Sequence, residues 1–350
     1  MSFSKNKNHY KSLFFILLVV LFTLTIISST LGIANINFIQ GIKILVSKIP
    51  LIGSNIDTHD ISNTHKLIIL NIRLPRIILS ALVGAGLSIV GTVFQAIFKN
   101  PMADPYVLGI SSGSALGASI AIVLGFQITM IGISGVTILA FLFAILTTFL
   151  VYNIAKVGTK LPTNILLLAG VSVSFLLSSL ISLIMIFNRE QVEQIVFWTM
   201  GSLSSASWKE VLSLLPLVII SSIVIMNYSR DLNVMLTGDE TANSLGIEVD
   251  RVKKFLLIIS SIIIASCVSV SGIIGFVGLI IPHMIRILVG PNHKVLLPFT
   301  TLGGAIFMII SDTLARTLVP PAEIPVGAIT SIFGAPYFIY LLIQNKKKVI

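Results

Sequence analysis

Few residues in this 350-residue chain could do chemistry, and their spacing excludes most kinds of it. Its five histidines, His9, His59, His65, His283 and His293, are scattered, and only His283 lies within a hydrophobic run. Paired intramembrane ligands for a haem are therefore unsupported. The single cysteine, Cys267, sits inside an apolar run. It allows no intrachain disulfide, Cys-based cluster or zinc site and reads as a small packed residue. There is no G-x-x-x-x-G-K-[ST] string, no H-E-x-x-H string and no nucleophile-base constellation. The residues thus identify no catalytic group, no metal ligand set and no ATPase site of the chain's own. What remains is electrostatic: the acids Asp239 and Glu240, and the arginines Arg73, Arg76 and Arg316. These suit ion pairing and docking.

The elements that must position them follow from composition. The chain is 55% hydrophobic and 10% charged, where an ordinary soluble domain has roughly 25% charged residues. Its mean hydropathy is +1.03. The apolar residues suffice for about ten spans of about 20 residues, the length that crosses roughly 30 Å of hydrocarbon. The expected fold class is all-α: a polytopic integral membrane protein of about ten transmembrane helices. No remaining segment reaches the roughly 50 residues of a separate soluble domain. Residues 1–350 therefore read as one transmembrane domain into which any energy must enter through a small surface.

Hydrophobic runs fall at 13–33, 67–98, 107–124, 128–152 and 162–187, then at 211–228, 252–270, 276–289, 296–315 and 324–343. The first follows Lys5, Lys7 and Lys11, as in a secretory signal, but it is long for one and no clean small-x-small site follows it. It reads as the first span. Placing both termini inside puts most of the 23 Lys and Arg residues on the cytoplasmic side, which also accounts for most of the net charge of +10. Gly109, Gly113 and Gly117 form a tandem G-x-x-x-G series suited to close helix packing.

Four segments rise above packing. The cytoplasmic stretch 229–251, SRDLNVMLTGDETANSLGIEVDR, predicts two short amphipathic helices: Gly238 breaks one, Asp239 and Glu240 favour the next N-terminus, and Gly246 stops it. Met235, Ala242 and Leu245 are expected on its surface, where they could fit a partner's groove; a solvated hairpin is the alternative. RLPR at 73–76 and Arg316 lie on the external side, as groups for an acidic partner or an anionic substrate, or as headgroup anchors. In KNPMADPYVLGISSG, 99–113, Asn100-Pro101 and Asp104-Pro105 mark turns, with Asp104 a cap. In GFVGLIIPHMIR, 275–286, Gly275, Gly278 and Pro282 loosen a span, with His283 beside them as a packed polar residue.

Six strings in order, RLPR, NPMADPYVLGISSG, LLLAG at 166–170, TGDETANSLG at 237–246, GFVGLIIPHMIR and IPVGAITSIFGAPYFIYLL at 324–342, resemble the FecCD-type permease family. Its members are the membrane subunits of ATP-binding-cassette importers for iron-siderophores, haem and cobalamin. The resemblance runs from about Arg73 to Leu342 and implies a type II importer permease fold, with 67–343 as its core. It also implies a bacterial cytoplasmic membrane, a second permease copy or homologue, two ATPase subunits that bind ATP and Mg, and an external substrate-binding protein. The chain itself would hold no cofactor. By this similarity Thr237, Gly238, Asp239, Glu240, Ala242, Leu245 and Gly246 form the ATPase coupling segment. Arg73, Arg76 and Arg316 match arginines that receive the binding protein. Thr163 and Asn164, after Pro162, fall at a cytoplasmic gate. The expected cargo is an iron chelate, first a siderophore, then haem or cobalamin. The rival expectation is a secondary carrier driven by an ion gradient, which needs intramembrane carboxylates or unwound ion sites.

Overall fold

The computed structural model describes residues 7–34, 36–48, 53, 56–57, 60–126, 133–158 and 160–349, with side chains except at 7, 342 and 344–349. Lys5, the side chains of Lys346, Lys347 and Lys348, and the start of the fourth run at 128 lie outside the described residues.

The described chain is helical: α1 Lys7–Thr30, α2 Phe38–Val46, α3 Asn63–Leu67, a π-helical turn Ile68–Arg73 and α4 Leu74–Ile97. A 3₁₀ turn, Pro105–Leu108, leads to α5 Ile110–Val123, α6 Gly135–Ala155 and α7 Thr163–Phe187. Next come α8 Val192–Thr199, α9 Trp208–Asn227, α10 Ser229–Met235, α11 Asp239–Ser244 and α12 Val249–Ser271. The chain closes with α13 Val277–Val289, α14 His293–Thr317 and α15 Val326–Val349. Among the described residues seven helices are long and apolar enough to cross a membrane, and α5, α13 and most of α15 are shorter apolar helices. These ten correspond one to one with the hydropathy runs. The short helices α2 and α8 were not foreseen, because neither reaches spanning length.

Helix ends follow their local chemistry. Ser134 caps α6, Asn292 caps α14, and Ser207 with Glu210 forms a reciprocal capping box at α9. Helix α4 is the hub. It is buried along nearly its whole length and packs against α9, α12, α13 and α14. Glycine permits this: a Cβ on Gly84 would collide with the Gly304 carbonyl of α14, and one on Gly91 with the Gly278 carbonyl of α13. Between helices in lipid, close backbone approach supplies the van der Waals contact that water-driven burial cannot. Gly113 and Gly117 of α5 play the same part against Thr147 and Leu139 of α6. Cys267 is fully buried, its Sγ facing Gly86 across the α4–α12 contact.

Candidate functional site

Helices α10 and α11 form a hairpin turned by Gly238 at φ 129° and closed by Gly246 at φ 84°. Only glycine holds such angles without strain. Met235 and Ala242 were expected on its surface, but both are fully buried and pack with Val249 at the start of α12. The physical reason is that a hairpin this short has no core of its own and borrows one from the next helix. The apolar side chains left exposed are Leu236 and Leu245, the latter 65% exposed, beside exposed Thr237 and Glu240.

The hairpin is tied to three membrane helices. Asp239 accepts from Lys99 Nζ, just past α4, at 2.8 Å and from Lys253 Nζ of α12 at 2.5 Å. Asn233 Oδ1 accepts from the backbone N–H of His293 at 2.8 Å and lies 2.8 Å from its ring Nδ1, at the start of α14. Asn233 Nδ2 donates to Asn292 Oδ1 at 2.9 Å. Lys99 and Asn233 were missed from sequence because each lies far along the chain from its partner, and Lys253, 14 positions from Asp239, because no helical spacing signals the contact.

Partial burial would raise the Asp239 carboxyl, but hydrogen bonds and charge from Lys253 and Lys99 outweigh it and hold it below the usual carboxylate range. A lowered folded-state value means that this contribution is fully present above the unfolded value, about 4, and is lost as pH falls through the lowered one. Thermal stability between pH 8 and 5 is therefore expected to show no dependence due to this group. A loss in that window that disappears in Asp239→Asn would contradict it.

At the other end of α4 the expected external arginines turn inward. Arg73, Arg76 and Arg316 are all under 9% exposed. Arg73 donates through Nη1 to the carbonyls of Ser29 and Thr30 and through Nη2 to that of Ala34, each at 2.9 Å. Arg316 donates to the Leu31 carbonyl at 2.7 Å, to Ser28 Oγ at 2.7 Å and to the Ser28 carbonyl. Together they cap the C-terminus of α1, where free carbonyls and the helix dipole favour cations. Arg76 donates through Nε to both oxygens of Asp312, at 2.9 and 3.2 Å, and through Nη1 to both of Glu323, at 2.9 and 3.0 Å. Arg316 Nε lies 3.7 Å from Asp312. The three guanidiniums, expected as open docking groups or headgroup anchors, are thus buried and bonded within the chain. They staple α1, α4, α14 and the segment before α15. The cations exposed at this end are Lys43, Lys48, Arg189 and Lys209.

Between these ends the chain unwinds. Gly272 to Phe276 separates α12 from α13, with Phe276 itself at φ 68°. Tyr106, from the 3₁₀ turn, serves this break: its hydroxyl donates to the Ile274 carbonyl at 2.9 Å and accepts from the Ile274 N–H at 3.3 Å. Gln95 Nε2 donates to the Leu279 carbonyl at 3.0 Å, one turn before Pro282. The turn that presents Tyr106 is built by Asn100, whose Oδ1 accepts from Met102 N at 2.9 Å, and by Asp104, which accepts from Tyr106 N at 2.7 Å. Exposed Pro101 leads into it, and the ring of Pro105 packs where a Cβ on Gly278 would sit. Gly275 faces open space. Tyr106→Phe is expected to strand both Ile274 groups and lower stability by about 1–3 kcal/mol. Thermal unfolding in detergent checks this; an unchanged midpoint would show the break is capped otherwise.

Thr163 and exposed Asn164 open α7. Residues 163–187 contain no charge. Their exposed side mixes Leu168, Phe175 and Leu183 with the hydroxyls of Ser172, Ser178, Ser179 and Ser182. Among the described residues no group of three or more His, Cys, Asp and Glu could hold a metal ion.

The described chain is thus a bundle of apolar helices, seven of spanning length and three shorter, with a hairpin bonded to three of them and a neutral, partly hydroxylated exposed face on α7. Residues 17–344 match the FecCD transport family, and the chain belongs to it. It is a multi-pass membrane permease subunit of an ABC importer, a type of subunit that is not itself an ATPase and works with ATPase and substrate-binding partners. The chain is 45% identical over 282 residues to the cobalamin import system permease protein BtuC of Halobacterium salinarum, covering 81% of this chain and 75% of that one. It is 40% identical to the hemin transport system permease protein HmuU of Yersinia pestis, over 80% and 84% of the two chains. A solved inward-facing metal-chelate type ABC transporter superposes with TM-score 0.82 at 34% identity, over 95% of this chain and 99% of the other.

Proposed function

We propose that this permease carries an intact metal chelate across a bacterial cytoplasmic membrane, both termini inside, powered by two ATPase subunits that bind ATP and Mg. The observation that carries this reading is the α10–α11 hairpin. It offers Leu236 and Leu245 to a partner and is bonded at its base to α4, α12 and α14, so a push on it reaches three spans at once. Leu245→Asp should abolish ATPase attachment without unfolding the chain, since the side chain is exposed.

The open face of α7, with Thr163 and Asn164 at its cytoplasmic end as the gate, fits a second permease copy or a homologue. Between two such faces runs a pathway with hydroxyls but no charges, suited to a chelate that masks its metal. A substrate-binding protein docks at the opposite end, on exposed Lys43, Lys48, Arg189 and Lys209, over a surface whose shape Arg73, Arg76 and Arg316 hold from beneath.

The cargo we favour is an iron-siderophore. Haem or cobalamin is the second reading, supported by the 45% and 40% identities to permeases named for cobalamin and hemin. Uptake of labelled iron from a panel of siderophores, with haem and cobalamin alongside, in cells with and without this gene separates them. ATP-independent uptake in vesicles lacking any partner subunit would decide instead for a gradient-driven carrier.

A further inference from the structure

A groove with a volume of about 340 Å³ opens between α6 and α12, floored by Leu108 and Leu166, at the end of the bundle that bears the hairpin. Its lining is apolar in effect. Besides the Tyr152 phenol at the rim, its two hydroxyls, Thr148 and Ser261, spend their protons on the carbonyls of Ala144 and Leu257 in their own helices, at 3.0 and 2.7 Å. Along α12 it runs from Lys254 to Ile262, about 12 Å of helix rise, nearly half of a hydrocarbon core of roughly 30 Å.

The mouth is cationic. Three basic residues open α12, and two are already paired: Arg251 with Glu248 at 2.9 Å and Lys253 with Asp239 at 2.5 Å. Lys254 is exposed and makes no ion pair among the described residues; its ammonium lies 5.7 Å from the centre of the Tyr152 ring. The aromatic face holds the charge at the groove's rim without neutralising it. Exposed Lys156, at the C-cap of α6, adds a second positive charge. Asp250, one turn nearer the start of α12, is exposed and makes no ion pair among the described residues.

We infer that this groove is a binding site for an anionic phospholipid, one acyl chain lying along α12 past Ile258 and the headgroup phosphate on Lys254. Charge complementarity selects the lipid class, because an apolar groove in a bilayer accepts any acyl chain whereas an uncompensated lysine at headgroup depth discriminates by charge. The inference rests on the proposed reading only for the leaflet, the cytoplasmic one.

The test is native mass spectrometry of the purified full chain after exposure to equal amounts of dioleoyl phosphatidylglycerol and dioleoyl phosphatidylcholine. The wild type should retain phosphatidylglycerol preferentially. Lys254→Gln should cut the preference about fivefold, as expected for one cation near the surface, and Lys254→Arg should keep it. Ile258→Trp, which fills the groove from an exposed position, should remove retention of both lipids. Equal retention of the two lipids by the wild type, or a preference untouched by Lys254→Gln, overturns the site. Failure of the ATPase to bind the wild-type hairpin would sink the functional reading while leaving this measurement standing, so the two failures are distinguishable.

Discussion

Asp312→Ala is expected to destabilise the permease by roughly 3–5 kcal/mol, the usual cost of removing one member of a buried ion pair. Asp312 is 1% exposed and stands between Arg76 and Arg316. Its removal leaves two guanidiniums in a low-dielectric interior, with Glu323, 38% exposed, as the remaining carboxylate on Arg76. The charge left behind, more than the lost bond, sets the size of the effect. The double variant Arg76→Met with Asp312→Leu should therefore recover much of the loss, since a buried pair replaced by apolar groups of similar volume is often neutral. Thermal unfolding of the purified chain in detergent measures both. A single variant no less stable than the double would show that the cluster is not electrostatically closed. For the same reason, reversing Arg73 and Arg76 to Glu is expected first to damage folding around α1 and α4, so a docking defect in that variant would report the scaffold as well as the surface.

The second large effect concerns energy transfer. Reversing Asp239 and Glu240 to Lys places a cation between Lys99 and Lys253, where the structure has a shared carboxylate. Neutralising Asp239 alone removes an exposed pair with Lys99 worth about 1 kcal/mol or less and leaves the buried Lys253 ammonium with a neutral amide as its partner, a milder change than reversal. Charge reversal adds like-charge repulsion at both contacts and loosens the hairpin from α4 and α12. The expected result is an assembled importer that still hydrolyses ATP but takes up little substrate. The ratio of uptake to hydrolysis in proteoliposomes is the measurement. An unchanged ratio would remove the hairpin from the coupling path.

Much of the fold is legible in the chain because membrane insertion is a local problem. Each span announces itself by its own apolar run, and the ten runs correspond to ten apolar helices. The hairpin break at Gly238, the turn at Asn100 to Pro105 and the loosened start of α13 are written in Gly, Pro and Asx residues whose constraints act within a turn of the chain. The short helices α2 and α8 lack that signature, as neither has the length that hydropathy detects. The directions of side chains were harder to read. External arginines were expected to face a partner, yet a guanidinium near the end of α1 finds free carbonyls close at hand and is better solvated by them. Met235 and Ala242 were expected to be exposed, because nothing within 229–251 reveals that Val249 folds over them.

The sequence by itself determined a multi-pass helical membrane chain, since span lengths and turn punctuation are properties of short segments, and its six ordered strings carried the resemblance to the FecCD-type permeases. Only the tertiary structure decided which charges are satisfied within the chain and which remain for partners. Arg76 and Asp312 are separated by 236 positions, and Lys99 and Asp239 by 140. Such pairs form only when helix packing, set by Gly84 on Gly304 and Gly91 on Gly278, brings distant segments to within a hydrogen bond's length.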